Sequence, residues 1–369
     1  MARLCLRSLR APIVQAPMAG GVTTPALAAA VANAGGIGSF GFAYSTPEKI
    51  AADLRAASAL RSGSSGRGGG INANFFVYPE LRAPPATQVS VALAVLAGLP
   101  GGAAQEPQAP YHLDLAAQLE AVWENPPDLL TFHFGIPPAW VIARAHGLGI
   151  LVGISATCIE EALAVGGSGA DFIVAQGFEA GGHRGMFDCA AEDEALPVLE
   201  LVSRLRDTVS IPVVAAGGIM DGAGIASALR AGAVAAQLGT AFLTCSESGT
   251  SKVYREYLIG PDIATRGTAF TRGFSGRPAR GIVNTFMTEM VGNPTLPFPL
   301  QNTATGNLRK AAAARGDGEY QSLWAGTNFK HCRVLSASEL VEALVSELEL
   351  AHVGVSAGEH PKPHLNSSL

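Results

Sequence analysis

The chain has 369 residues, 48% of them hydrophobic and only 15% charged, with 44 glycines and a formal net charge of −5. That balance suits a compact α/β protein with many buried parallel strands and tight loops, and it excludes the basic footprint of a nucleic-acid binder. No uninterrupted apolar run reaches the roughly 18 residues that span a bilayer, the N-terminal arginines have no apolar signal-peptide core behind them, and five scattered cysteines form neither a metal spacing nor a disulfide framework. A cytoplasmic protein with reduced thiols, no metal site and no membrane contact is expected.

In chain order, residues 13–18 read as a short strand followed by Gly20-Gly21. Thr24-Pro25 is an N-cap with proline at the first helical position, opening a helix over 26–34. A second strand over 37–42 leads to a second cap-then-proline pair, Thr46-Pro47, and a helix to about residue 60. Residues 62–70 are almost all Gly and Ser, the composition of a flexible connector. A third strand (71–77) carries Asn72 and Asn74 on one side of its alternation. Residues 78–127 form an insertion with helical pieces at 89–99 and 112–123.

Strand and helix then alternate again: strands over 128–135, 150–154, 172–175, 212–216 and 233–238, and helices over 138–146, 157–165, 196–207 and 221–231. Eight strand-then-helix units predict a closed (β/α)8 TIM barrel over residues 1–245, with the insertion after strand three. An open doubly wound sheet would carry Gly-x-Gly-x-x-Gly after its first strand, which is lacking here. Residues 246–355 are expected to be a mostly helical cap over the barrel mouth, with helices over 251–258, 303–315 and 337–350 and an Arg/Gly-rich loop over 269–281. Residues 356–369 have the polar composition of a disordered tail.

The chemistry is expected at the C-terminal ends of the strands. The richest end is the sixth, where an apolar run breaks into Gln176-Gly-Phe-Glu179-Ala-Gly181-Gly182-His183-Arg184. Gly181 and Gly182 let backbone approach a ligand closely, and His183 brings a side chain that ordinarily titrates near neutral pH. Barrels commonly bind phosphate on the loops after strands seven and eight, here Gly217-Gly218 and Gln237-Leu-Gly239-Thr240. Gly217-Gly218 also reads as a tight turn, and Thr240 as a helix cap. The other ends offer Met18, Asn74, His133 and Ser155 with few carboxylates, a lining that suits a planar heteroaromatic ring. Phosphate at one end and such a ring at the other describe flavin mononucleotide (FMN).

The segments PIVQAPMAGG (12–21), NAN (72–74), FHFG (132–135), AQGFEAGGHRG (175–185), AGGI (216–219) and FTRGFSGRPAR (270–280) resemble the motifs of the nitronate monooxygenases, formerly 2-nitropropane dioxygenases. The resemblance runs from about residue 12 to 324. It implies an FMN-binding barrel of the class I type, which oxidises alkyl nitronates with O2 without NAD(P)H. It also carries FMN-binding roles onto Asn74, Gln176, Gly181, Gly218, Gln237, Gly239 and Thr240, and the catalytic role onto His183; Met18, Gly182 and Gly217 join the cofactor set as neighbours at the same strand ends.

The expected reaction passes through an anionic flavin semiquinone and yields a carbonyl compound plus nitrite. His183 would hydrogen-bond the nitro oxygens, or act as base toward neutral nitroalkanes. His133 is the second expected substrate contact, or else a core histidine between Phe132 and Phe134. A carboxylated substrate such as propionate 3-nitronate needs a cation from the cap, with Lys310, Arg272 and Arg277 as the candidates. The alternative reading is an NAD(P)H-dependent flavin reductase of the quinone or enoyl-thioester type. The expected partners are a small nitronate and O2, in a monomer or homodimer.

Overall fold

A computed structural model describes residues 4–61, 69–79, 81, 83–101 and 104–356. Most of the expected 62–70 connector and nearly all of the expected tail lie outside the described residues.

Eight parallel strands close into a barrel: β1 (Ile13–Gln15), β2 (Ile37–Gly41), β3 (Gly70–Phe76), β4 (Leu129–His133), β5 (Leu151–Ala156), β6 (Phe172–Gln176), β8 (Val213–Ala216) and β9 (Ala235–Leu238). Between β6 and β8 the chain makes a two-residue strand outside the barrel, β7 (Gly182–His183). The connecting helices are α1 (Pro25–Asn33), α2 (Pro47–Leu60), α5 (Ala139–Gly147), α6 (Ile159–Gly167), α7 (Val198–Arg206) and α8 (Gly222–Ala231); α3 (Ala86–Ala97) and α4 (Leu115–Glu124) lie in the insertion. Thr24 and Thr46 cap α1 and α2 through their hydroxyls with proline at the first turn, and Gly232 ends α8 in the left-handed conformation.

The C-terminal region is mostly helical, with α9 (Lys252–Ile259), α10 (Thr285–Glu289), α11 (Leu300–Ala304), α12 (Gly306–Ala314) and α13 (Ala337–Ser356). Two details depart from the sequence reading. The expected Arg/Gly loop over 269–281 is a hairpin, β10 (Thr268–Thr271) and β11 (Ala279–Ile282), whose second strand pairs antiparallel with β7. Its partner strand is two residues long, too short to carry a periodic signal. Helix α13 does not sit over the mouth: it packs on α8 and α1 and so fills the last place in the outer ring. Its buried Leu340, Val341 and Leu344 join the strand–helix core.

The period-2 alternation of the strands divides the core. Ile71, Ala73, Phe75, Leu130, Phe132, Ile173, Ala175, Val213 and Ala215 face the helices. Val14, Ile37, Leu129, Phe172, Val174 and Val214 fill the barrel, and Leu4, Leu6 and Leu9 plug its lower end. A polar layer crosses the barrel above them: Asn72 Nδ2 donates to Ser39 Oγ (3.2 Å) and Thr131 Oγ1 (2.9 Å). Asn72 is therefore structural, and the next inward residue, Asn74, is the one that reaches the mouth.

Candidate active site

The same alternation turns Asn74, Phe76, His133, Gln176 and Gln237 into the barrel at its C-terminal end. They line a cavity of about 640 Å3 together with Met18, Ser155, Gly181, Gly182, His183, Gly217, Gly218, Gly239 and Thr240. The histidines and the cofactor-binding residues expected from sequence thus border one space, of a size that holds a small molecule. Loop geometry explains the roles of two of them. Gln176 Nε2 donates to the His183 carbonyl (2.9 Å), and its Oε1 accepts from Gly185 N–H (2.7 Å). Its amide fixes the β7 loop instead of standing free. His133 Nε2 donates to the same carbonyl at 3.2 Å, which sets its tautomer. Gly185 permits this approach, because a Cβ there would lie 2.7 Å from His133 Cε1.

The His183 ring sits among Phe76, Phe134, Phe298 and Trp324, with centroids 5.6–5.9 Å away. Its Nε2 is 2.9 Å from Ser275 Oγ at the tip of the β10–β11 hairpin, and Nδ1 has no hydrogen-bond partner among the described residues. Desolvation, reinforced by His133, Arg277 and Arg309, pushes its pKa down to about 3; desolvation likewise lowers His133 to about 4. Neither ring titrates near neutral pH in this cavity. The sequence pointed to a neutral-range proton exchanger, and burial makes His183 a neutral imidazole instead.

Three arginines brace this region, Arg184 within the loop and Arg277 and Arg280 between hairpin and loop. Arg184 grips Asp193 bidentately (2.7 and 2.8 Å) and donates to the Gln176 carbonyl. Arg280 donates to the Phe178 carbonyl, and Arg277 donates to the Met186 carbonyl while stacking 3.9 Å from the Phe134 ring. Arg277 is thereby committed to backbone and does not line the cavity. Arg272 donates to the Cys189 carbonyl near the surface, and Lys310 is exposed. None of the three cations expected from the cap borders the cavity.

Arg309 does, and the sequence reading missed it. Its Nη2 donates to the Asn302 carbonyl (2.7 Å) and Oδ1 (2.9 Å), its Nε is buried without a partner, and it makes no ion pair among the described residues. A helical signal was present: Thr305, Leu308 and Ala312 are buried, and 309 shares that face while 310 is turned outward.

The residues present fit a phosphorylated flavin. Gly217 and Gly218 hold φ of 132° and 68°, the left-handed region where glycine is at ease, at the place where barrels bind phosphate. Gly239 and Thr240 border the same end of the cavity, although Thr240 Oγ1 also accepts from Gly326 N–H at 3.0 Å. Asn74 donates through Nδ2 to the Thr131 carbonyl and hydroxyl, leaving Oδ1 as an acceptor, and the Gln237 amide has no partner among the described residues. Such open amide groups suit the donor–acceptor edge of a flat ring.

Among the described residues no group of three or more His, Cys, Asp or Glu is placed to hold a metal, and no helix is long and apolar enough to cross a membrane. Fold and site together define a (β/α)8-barrel enzyme with a neutral histidine, an arginine that makes no ion pair among the described residues and a glycine-lined end in one cavity.

Comparisons with known proteins agree in kind. The family model described as nitronate monooxygenase matches residues 4–347. The nitronate monooxygenase of Pseudomonas aeruginosa is 42% identical over 93% of this chain and 97% of its own length, and that of Paraburkholderia phytofirmans is 41% identical over 94% and 95%. The crystal structure of nitroalkane oxidase from Streptomyces ansochromogenes superposes with a TM-score of 0.87 at 40% identity, covering 95% of this chain and 99% of that one. FabK from Thermotoga maritima is more distant, at TM-score 0.70 and 26% identity over 95% and 97%. The chain belongs to the nitronate monooxygenase family and is an oxidoreductase.

Proposed function

We propose that this protein is an FMN-dependent enzyme that oxidises alkyl nitronates with O2 to a carbonyl compound and nitrite, with His183 as the residue that meets the nitro group. The observation that carries this reading is a neutral histidine, one ring nitrogen of which has no partner among the described residues, inside an aromatic-walled cavity whose other end is lined by glycines. FMN bound there would be held at its phosphate by Gly217, Gly218, Gly239 and Thr240, and along its ring edge by Asn74, Gln237, Gly181 and Gly182. When bound it supplies the electron-transfer chemistry, and the chain supplies binding, orientation and exclusion of water.

A nitronate arrives as an anion and needs donors and positive potential in a dry pocket. The aromatic wall of Phe76, Phe134, Phe298 and Trp324 keeps bulk water away from the His183 ring. Arg309 offers a guanidinium with an unused donor, suited to a substrate that also carries a carboxylate, such as propionate 3-nitronate. Burial lowers its pKa below the ordinary arginine value. An imidazole whose pKa is held near 3 is a weak base. The cavity therefore favours a preformed nitronate over a neutral nitroalkane that must first lose a proton.

The test is anaerobic visible spectroscopy of the FMN-loaded protein with propionate 3-nitronate and, separately, NADH, followed by oxygen-uptake and nitrite assays. A flavin spectrum that responds to nitronate and ignores NADH, with nitrite released on aeration, is the expected result. Bleaching by NADH alone would make the protein a flavin reductase, and failure to take up FMN would sink both readings.

A further inference from the structure

The hairpin that contains residues 270–280 braces the loop that carries His183. Its tip does more. Ser275 is 1% exposed, and its hydroxyl meets His183 Nε2 at 2.9 Å. The tip cannot drift: Gln301 Nε2 donates to the Gly273 carbonyl (2.7 Å), Thr305 Oγ1 donates to the Phe274 carbonyl (2.6 Å), and Arg277 is locked onto Met186 and Phe187 carbonyls. The β11–β7 pairing sets Ala279 opposite His183 and fixes the distance between tip and ring.

A serine hydroxyl has one proton and two places to put it here. One is the Arg277 carbonyl at 3.2 Å, only two residues along its own chain; the other is His183 Nε2, closer at 2.9 Å. The Arg277 N–H meanwhile donates to Ser275 Oγ at 3.3 Å. A donor arriving at the oxygen polarises its O–H and strengthens the bond that the O–H makes onward. With the hydroxyl turned to the closer partner, the chain would run from Arg277 N–H to Ser275 O–H to His183 Nε2.

We infer that Ser275 is a positioning residue that holds neutral His183 as its Nδ1–H tautomer, so that the ring offers an N–H donor, and not a lone pair, to an oxygen of the bound substrate. The assignment rests on the proposed role of His183 at the substrate. Its physical sense follows from the site. A neutral imidazole has a single N–H, and the cavity that dries His183 and sets His133, Arg277 and Arg309 around it keeps a second proton away. If that single N–H pointed at Ser275, the nitrogen left for an anionic oxygen would present a lone pair and repel it. With Nε2 satisfied by Ser275, Nδ1 is the nitrogen left for the ligand, and it carries the proton. Ser275 decides which.

The experiment is nitrogen NMR of FMN-loaded protein labelled at histidine, at neutral pH, with the His183 signals identified by their loss in His183→Gln. The expected pattern is a protonated, pyrrole-type Nδ1 and an unprotonated, pyridine-type Nε2. The reverse pattern overturns the inference. Ser275→Ala should move the proton to Nε2 and raise KM for propionate 3-nitronate about tenfold with little change in kcat, as expected for one lost hydrogen bond to a charged group. Ser275→Thr, which keeps the hydroxyl, should restore both. An Ala variant that keeps the wild-type tautomer and KM also overturns it. If the Ala variant fails to fold, the wild-type spectrum still decides. Wild-type protein that turns over no nitronate would sink the proposed function while leaving the tautomer result intact, so the two failures are distinguishable.

Discussion

The lower and upper ends of this barrel are built from the same strands in the same register, yet they do opposite things. At the bottom, inward residues such as Val14, Ile37, Leu129, Phe172 and Val214 meet the Leu4, Leu6 and Leu9 plug and leave no room. Two to four residues further along, the inward positions are Asn74, His133, Gln176 and Gln237, and they border a cavity of about 640 Å3. Between the ends lies the hydrogen-bonded Asn72–Thr131–Ser39 layer, of which only Thr131 borders the cavity. An inward position is thus structural or functional by its height in the barrel, and residue type follows height. The bottom should carry stability and the mouth should carry chemistry.

The largest expected effect tests the bottom. Phe172→Ala, emptying a site that is 3% exposed, should cost about 3–5 kcal/mol in denaturant unfolding while leaving KM of the surviving folded enzyme unchanged. A comparable loss of substrate binding would mean the two ends are mechanically coupled. At the mouth, His183→Ala should lower kcat/KM for a nitronate by about 100-fold or more, with little change in melting temperature. A large loss of stability instead would place His183 among the structural residues.

The histidines also link the mouth to pH. Their folded pKa values, about 4 for His133 and about 3 for His183, lie below the ordinary 6.5, so the unfolded chain binds protons first as pH falls. Their contribution to stability is complete above about pH 6.5 and is lost progressively as pH drops toward the folded values. Unfolding titrations should show stability falling over that window, and His133→Asn should flatten the slope. A slope unchanged by the substitution would mean that His133 is not held neutral.

Smaller effects sharpen the mouth. Arg309→Ala should raise KM for propionate 3-nitronate about 10- to 100-fold, as loss of a charge-assisted contact does, and should leave a simple alkyl nitronate nearly untouched. Equal losses on both substrates would assign Arg309 to the cavity wall and not to a carboxylate. Lys310→Ala, one residue away but exposed, should change neither substrate's kinetics.

The sequence by itself determined the barrel and most of the strand-end residues. Strand–helix alternation, the two Thr-Pro caps and period-2 patterning are local signals, and they set which side chains face inward before any tertiary contact forms. Asn74, Gln176, Gln237 and the glycine pairs were legible for that reason. The surroundings of His183, Ser275 and Arg309 were decided by tertiary structure. Burial among Phe76, Phe134, Phe298 and Trp324, a property of four distant segments, takes the His183 pKa out of the neutral range. A two-residue strand too short to carry a pattern joins the Ser275 hairpin to the histidine 92 residues before it. Arg309 and Lys310 are adjacent cations in the chain, and one step of helical rotation sends the first into the cavity and the second into solvent. Composition cannot tell neighbours on a helix apart until the surface against which the helix packs is known.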